Sequence, residues 1–361
     1  MTWEEQLVKA YTDSRDRLLA AIERRLLWGQ NAAQERGMLA LIDKELARMN
    51  VTTAAWAQGA VQQSFLMGAI DAYKIIAPSA AIPAYGAFAG IHARAIALLV
   101  HNTQDFLTIA NNVIARQAKD VVRDLGVQAA QRKFGENLTW KQMRADLQKT
   151  LLDEGFDRVP YRFTKGSMRA DSYAELVART TTAEATNTGT INQMEEMDEY
   201  LVWIPRHNTT CKICAPRQGR VYRLRDFPAG DPRNQFPHIS QGLPRWPTYK
   251  TVHPNCLCRL LPYVWDQKSD ADKQAALQAA GKPFDTDPRS EAEIKRYDAA
   301  QKKLAERLRD RYQWEKYKGV LPNDAPTFSG FRAMKAANSE RYQELRADYR
   351  KAMQAFKKEG Q

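Results

Sequence analysis

The sequence predicts a mainly α-helical protein, with extended helical N- and C-terminal regions flanking one small α+β module. Three observations carry that expectation. Apolar residues recur at three-, four- and seven-residue steps through the first third of the chain. This periodicity disappears between Trp203 and Trp265, where Pro, Gly, aromatic residues and Arg dominate. All four cysteines of the 361-residue chain fall in that same stretch, from Cys211 to Cys258.

The first expected region, residues 1–135, reads as four helices. Trp3, Leu7, Tyr11, Leu18, Ile22 and Leu26 form one apolar stripe, and Met38, Leu41, Ile42, Leu46 and Met49 a second. A third helix is expected to start at Thr52-Thr53 and to run through Trp56, Ala60, Phe65, Ala69 and Tyr73. The fourth runs from about Pro83 to Leu125, where Gly126 can end it.

Residues 136–199 form the next expected segment, also helical. Thr139-Trp-Lys-Gln142 is a capping-box pattern opening a helix that Gly155 can close. Ser172-Tyr-Ala-Glu175 is another, opening a helix that runs toward Met197, and Tyr161 to Ala170 reads as an irregular connection. The polar run from Arg179 to Gly189 has two readings. In one, Arg179 and Glu184 face a ligand. In the favoured one, the threonines bond the preceding helical turn.

Residues 200–265 are the α+β module. Strands are expected at Leu201–Ile204, Arg220–Leu224 and Leu257–Tyr263. Asp226 to Thr248, with five prolines and two glycines, reads as a long mobile loop. After it, residues 266–361 return to helices, expected over 288–319 and 327–357, charged and with thin apolar stripes. Such helices are expected to pack on a partner or a scaffold rather than form a core of their own.

Length allows two or three domains, and 44% apolar with 27% charged residues excludes a wholly disordered chain. The start, MTWEEQLVKAYTD, has no basic stretch followed by an apolar run, so no secretory signal is expected. Ile75 to Val100 is the most apolar stretch, but Pro78, Pro83, His92 and Arg94 interrupt it. It reads as a buried turn between helices, with a membrane-active segment as the alternative. The net charge of +12 is unevenly spread. Residues 1–49 are neutral, the module sets ten basic residues against Asp226 and Asp231, and residues 288–361 carry +7.

The chemistry concentrates in Cys211-Lys-Ile-Cys214 and His253-Pro-Asn-Cys256-Leu-Cys258. A Cys-x-x-Cys turn presents two thiolates to one ion, and zinc takes four such ligands in a tetrahedron. Cys211, Cys214, His253, Cys256 and Cys258 are therefore five candidates for four places in a closed, structural zinc site. Two disulfides or unconnected buried thiols are the alternatives, disfavoured by the clustering of all four cysteines into two pairs, and a redox pair lacks the strand-to-helix context it needs. His92 and His101 are weak candidates because they sit in helical surroundings, and His207 and His238, which flank the module, are weak because a catalytic role needs a partner carboxylate that cannot be placed. No phosphate-cradling glycine loop, nucleophile elbow or His-Glu-x-x-His occurs.

These residues also carry a family resemblance. Ser172-Tyr-Ala-Glu-Leu-Val-Ala-Arg-Thr-Thr-Thr182 precedes Tyr200-Leu-Val-Trp-Ile204 and Cys211-x-x-Cys214. Ala215-Pro-Arg-Gln-Gly219-Arg-Val-Tyr222 and His253-Pro-Asn-Cys256-Leu-Cys258-x-x-Leu-Pro262-Tyr263 follow. The pattern resembles the minor capsid protein 2 group of tailed bacteriophages and the related Mu F-like head morphogenesis proteins, specifically over residues 139–265. The resemblance implies a non-enzymatic virion protein present in a few copies at the portal vertex and inner capsid, and in the host cytoplasm during assembly. Its implied partners are the portal protein or the major capsid protein, and its implied work is head assembly or genome delivery. The five Cys and His residues inherit the metal-site reading, Gly219 a turn role and Pro262 a structural one.

A basic module beside packaged DNA would exchange counterions at phosphates whatever the base sequence. Arg217, Arg220, Arg223, Arg225, Lys250 and Arg259 are the candidate contacts, and Tyr222, Phe227, Trp246 and Tyr249 could stack on bases. A solvated basic face over an aromatic mini-core is the competing reading. Two further functions remain in view. One is an ejected, membrane-interacting protein that uses Ile75–Val100. The other is a zinc-scaffolded nuclease, disfavoured because the module holds only Asp226 and Asp231 as acids.

Overall fold

Long amphipathic runs become long helices. The protein is seen here as a computed structural model that describes residues 1–27, 32–83, 85–135, 158–160, 167–207, 210–321 and 323–358. In order come α1 (Trp3–Leu27), α2 (Ala32–Ile76), α3 (Tyr85–Gly135), β1 (Arg158–Pro160), β2 (Ser167–Arg169) and α4 (Ala170–Glu196). The module adds β3 (Leu201–Ile204), β4 (Arg220–Arg223), the one-turn α5 (Ile239–Gly242) and β5 (Leu261–Pro262). Then follow α6 (Asp270–Ala280), α7 (Glu291–Val320), α8 (Phe328–Ala336) and α9 (Glu340–Lys358). The described chain is thus mainly helical with a small sheet region.

It gathers into two compact units, each assembled from three separate stretches. The first comprises Met1–Val8, Thr52–Leu107 and Ala174–Ala300. Here Val61, Phe65, Leu66 and Ala69 of α2 pack with Ile96 and Val100 of α3 and Ala185 of α4. The expected break at Thr52-Thr53 does not occur: Thr53 is buried and α2 runs through it without a Pro or a cap. Gly59 sits inside that helix where a Cβ would stand 2.7 Å from the Trp3 ring, so the glycine makes room for an aromatic. Trp3 is then fixed by its indole donating to Gln63 (2.8 Å) and by Trp56 donating to its carbonyl (2.7 Å).

α3 likewise continues past Gly126 to Gly135. The turn at 77–83 lies mostly exposed rather than buried. No helix among the described residues is long and apolar enough to cross a membrane. The capping box at Thr139–Gln142 and the stop at Gly155 lie outside the described residues.

In the module, β3 is the centre of a three-stranded antiparallel sheet of order β4-β3-β5, with Leu201 opposite Arg223 and Val202 opposite Pro262. Pro262 is tolerated because its strand is an edge. Strand β5 is shorter than the expected Leu257–Tyr263, since residues before it bond to α4 side chains instead of a neighbouring strand. The stretch Asp226–Thr248 is not a free excursion. It contains a 3₁₀ turn (Pro232–Gln235) and α5, and it buries Phe236, Ile239 and Leu243. Ile191 and Met194 of α4 share one core with Val202, Ile204, Tyr222, Ile239 and Leu243.

The second unit comprises Lys9–Val51, Thr108–Tyr173 and Gln301–Gln361. Its β1 and β2 pair antiparallel, so part of the expected irregular connection is strand. Asp171, in the first turn of α4, accepts the Ser172 N–H at 2.7 Å, and the helix begins two residues before the expected Ser172 start. The C-terminal helices do form a core of their own, against expectation: Tyr317, Phe331, Tyr342 and Leu345 are buried together. The expected 327–357 helix splits into α8 and α9 because Asn338 turns left-handed (φ 45°) and Ser339 then accepts the Tyr342 N–H. A buried ion-pair node joins α1, β2 and α7. Arg15 meets Glu315 at 3.1 Å, Arg169 meets Asp171 at 3.2 Å and also pairs with Glu315, and Arg311 reaches Glu315 at 3.5 Å.

Candidate metal centre

Two tight turns bring the cysteines together. In the first, Cys214 and Ala215 both donate their N–H to the Cys211 carbonyl, at 3.2 and 3.0 Å. Gly219 (φ +73°) then reverses the chain into β4, a conformation that favours glycine. In the second, the Cys256 N–H meets the His253 carbonyl at 3.2 Å, and Asn255 (φ 61°) takes the left-handed position. Each turn also aims a backbone N–H at a sulfur, Cys214 at Cys211 Sγ and Cys258 at Cys256 Sγ, both at 3.4 Å.

All four cysteines are free thiols, three of them buried and Cys211 half-buried, which sets aside the disulfide alternative for this structure. His253 Nε2 lies 3.3 Å from Cys211 Sγ and 3.1 Å from Cys214 Sγ. Cys214 Sγ is 3.6 Å from Cys256 Sγ. The ligand atoms fall into two groups, Cys211–Cys214–His253 and Cys214–Cys256–Cys258, each spanning no more than 4.8 Å and sharing Cys214. The other imidazole nitrogen, Nδ1, sits 2.6 Å from the Pro254 carbonyl, which suits the tautomer that leaves Nε2 as the ligand atom. Cys258 accepts a hydrogen bond from Gln218 Nε2 at 3.1 Å, and Gln218 in turn accepts from Thr210 Oγ1 at 2.7 Å.

The electrostatics suit a cation. Donation from Cys214, aided by His253, pulls the Cys211 thiol down to about 4. Cys214 and Cys258 also lower Cys256, while Cys214 itself is raised by its three thiol neighbours and by burial. Several thiolates cannot coexist in so small a volume unaided, and a divalent cation would relieve that repulsion. The donor set, soft sulfur plus one imidazole, fits zinc or another thiophilic metal.

Helix α4 holds the second turn from behind. Asn187 Nδ2 donates to the carbonyls of Lys250 (2.8 Å) and Cys258 (3.1 Å), and its Oδ1 accepts the Leu260 N–H at 2.9 Å. The Glu184 carboxylate accepts the Lys250 N–H at 2.7 Å, and Thr180 Oγ1 accepts the Asn255 N–H at 2.9 Å. The threonine reading of this helix also holds, since Thr182, Thr186, Thr188 and Thr190 each donate to the carbonyl four residues earlier. Sequence reasoning missed Glu184 and Asn187 as supports of the centre. Beside the second turn opens a groove of about 570 Å³, lined by Trp3, Met67, Arg179, Leu257 and Arg259 among others.

The candidate phosphate contacts are variously engaged. Arg220 is 5% exposed and donates to the carbonyls of Ala280 (3.3 Å), Lys282 and Pro283 (2.7 Å) with Phe284 under its guanidinium, so its charge serves packing. Arg217 bonds the Ile213 carbonyl, Arg223 pairs with Asp226, and Arg259 pairs with Asp71 at 2.8 Å. Arg225 lies 3.3 Å over the Tyr200 ring and Lys250 4.6 Å over Trp246. Tyr222 is buried with its hydroxyl on the Arg217 carbonyl, out of reach of a base.

Among the histidines, His92 is buried, 3.3 Å from Gln193 and stacked at a tilt on Phe65, whereas His101 is exposed beside Asp105. His238 caps α5, and His207 Nε2 stands 4.0 Å from Cys258 Sγ.

Comparison with known protein families gives a match. The family model described as phage minor capsid protein 2 covers residues 1–308. No curated protein and no solved structure matches the chain.

Proposed function

The chain belongs to the phage minor capsid protein 2 family, a family of structural virion proteins, and on that premise we propose a specific role for it. It sits at the portal vertex and inner capsid in a few copies, bound to the portal protein or the major capsid protein. A zinc ion held by four of Cys211, Cys214, His253, Cys256 and Cys258 folds the module. The bound ion supplies cross-linking and charge neutralisation, not chemistry on a substrate. Arg225 and Lys250, held on aromatic rings, together with Arg259, face packaged DNA without regard to base sequence.

The observation that carries the virion role is the family match across residues 1–308. A non-enzymatic reading accords with it, and the two acids that a nuclease would need are committed to arginines, Asp226 to Arg223 and Asp231 to Arg233. Cross-linking mass spectrometry on purified particles tests the role. Links from this chain to portal or major capsid subunits are expected. Absence of the chain from mature particles and assembly intermediates alike would remove it.

A further inference from the structure

The second turn of the metal centre is pinned to one stripe of α4. Thr180, Glu184 and Asn187 follow one another at four- and three-residue steps, which places them on a single helix face. The hydrogen bonds described above tie that face to the backbone at Lys250, Asn255, Cys258 and Leu260. Those four points bracket His253, Cys256 and Cys258, the three candidate ligands of the turn. Asn187 is 1% exposed and makes three of these bonds, using both amide hydrogens and its oxygen.

We propose that Asn187, supported by Glu184 and Thr180, is a positioning residue that sets the metal affinity of the centre. This inference rests on the metal reading given above. A turn that must be ordered at the moment of binding gives up part of the gain from coordination, while a turn already held in place does not. Residues that orient ligands without touching the metal typically account for roughly 10- to 100-fold in metal affinity. The carbonyl of Cys258 and the N–H of Leu260 belong to the two peptide groups that flank Arg259, so a single side chain fixes both the height and the direction of the sulfur-bearing segment.

The test uses the full-length chain in reducing buffer, with zinc affinity read by competition against a chromophoric chelator and ligand geometry read from the visible spectrum after cobalt(II) substitution. Asn187→Ala is expected to weaken zinc binding roughly 10- to 100-fold and to alter the cobalt spectrum. Asn187→Asp, which keeps the acceptor for Leu260 but sets a buried carboxylate oxygen against the Lys250 and Cys258 carbonyls, should weaken zinc binding at least as much as Asn187→Ala. Glu184→Gln provides a milder variant if Asn187→Ala does not fold. Ala185→Gly is the control, because Ala185 lies in the α2–α3–α4 core and makes no bond to the turn. It should lower Tm while leaving zinc affinity unchanged. If Ala185→Gly weakens zinc as much as Asn187→Ala does at equal loss of Tm, the effect is general destabilisation and the positioning role is overturned. Unchanged affinity in Asn187→Ala also overturns it, with the metal reading intact. A natural chain that takes up no metal overturns both.

Discussion

Gly189 of α4 packs so closely on Phe65 of α2 that a Cβ at position 189 would stand 2.0 Å from the Phe65 carbonyl oxygen. Gly68 returns the contact, with its own virtual Cβ 2.0 Å from the Thr186 carbonyl oxygen, and Thr190 Oγ1 donates to the Gly68 carbonyl at 3.3 Å. Backbone stands against backbone here, so no side chain can yield. Gly189→Ala and Gly68→Ala should each destabilise the first unit by about 3 kcal/mol. Gly281→Ala, whose Cβ would meet nothing closer than 3.8 Å, should cost well under half of that. Chemical denaturation of the three variants separates the cases.

Cys214 belongs to both groups of ligand atoms. Cys214→Ser should therefore weaken zinc uptake under reducing conditions more than the same substitution at a candidate that belongs to one group only. Chelation of the natural chain should release one metal per chain and melt residues 200–265, because the ion is expected to contribute on the order of 10 kcal/mol to folding such a module. Metal analysis and hydrogen exchange report the two effects, and intact protection after complete metal removal would contradict the second.

Arg220 and Arg225 should separate packing from DNA contact. Arg220→Ala leaves three carbonyls without their donor and should lower stability by roughly 3 kcal/mol. Arg225→Ala should barely change Tm but weaken binding to any duplex and flatten its salt dependence by about one unit of slope. Titrations of duplex DNA across a salt series measure this. Equal slopes for Arg225→Ala and the natural chain would take Arg225 out of the interface.

Asp171 predicts a response to acid in the second unit. Burial alone would raise its carboxyl, but Arg169, Arg15 and Arg311 outweigh burial and hold it below the usual carboxylate value. Its folded value is thus lower than its unfolded one of about 3.9. The stabilisation is complete above that unfolded value and is lost as pH falls through the folded one. Asp171→Asn should cost on the order of 3 kcal/mol at neutral pH. The difference between the two chains should shrink as pH drops below about 4. A pH series of unfolding midpoints that stays parallel would contradict the assignment.

Much of the candidate centre was legible in the sequence, because ligand chemistry is written in residue type and spacing. The two Cys pairs, β3 and β4 needed only short-range patterns. What was not legible depends on distance along the chain. Asn187 meets Cys258 across 71 residues, and such side-chain-to-backbone bonds leave no period to read. Arg220 looked like a phosphate contact because its charge is plain in the sequence, whereas its burial is fixed by the carbonyls at Ala280 to Pro283. Helix ends were misplaced at Thr52 and Gly126 for a related reason. A cap or a glycine ends a helix only if no packed surface rewards its continuation, and α2 is packed on both sides of Thr53. The split at Asn338 was missed because the turn depends on one left-handed residue rather than on a Pro or Gly.

The two turns of the centre are drawn from positions 42 residues apart, Cys211 and His253. With a metal in place, everything from β4 through α5 becomes a closed ring whose clasp is inorganic. A protease cut within residues 226–248 would then leave two fragments that still travel as one body. Adding a chelator would remove that clasp and leave the fragments joined only by non-covalent contacts such as the β3–β5 pairing. Pulling on the ends of the module would likewise strain metal–sulfur bonds before it straightened the intervening chain. Such a clasp would resist force alongside the apolar core that the module shares with α4.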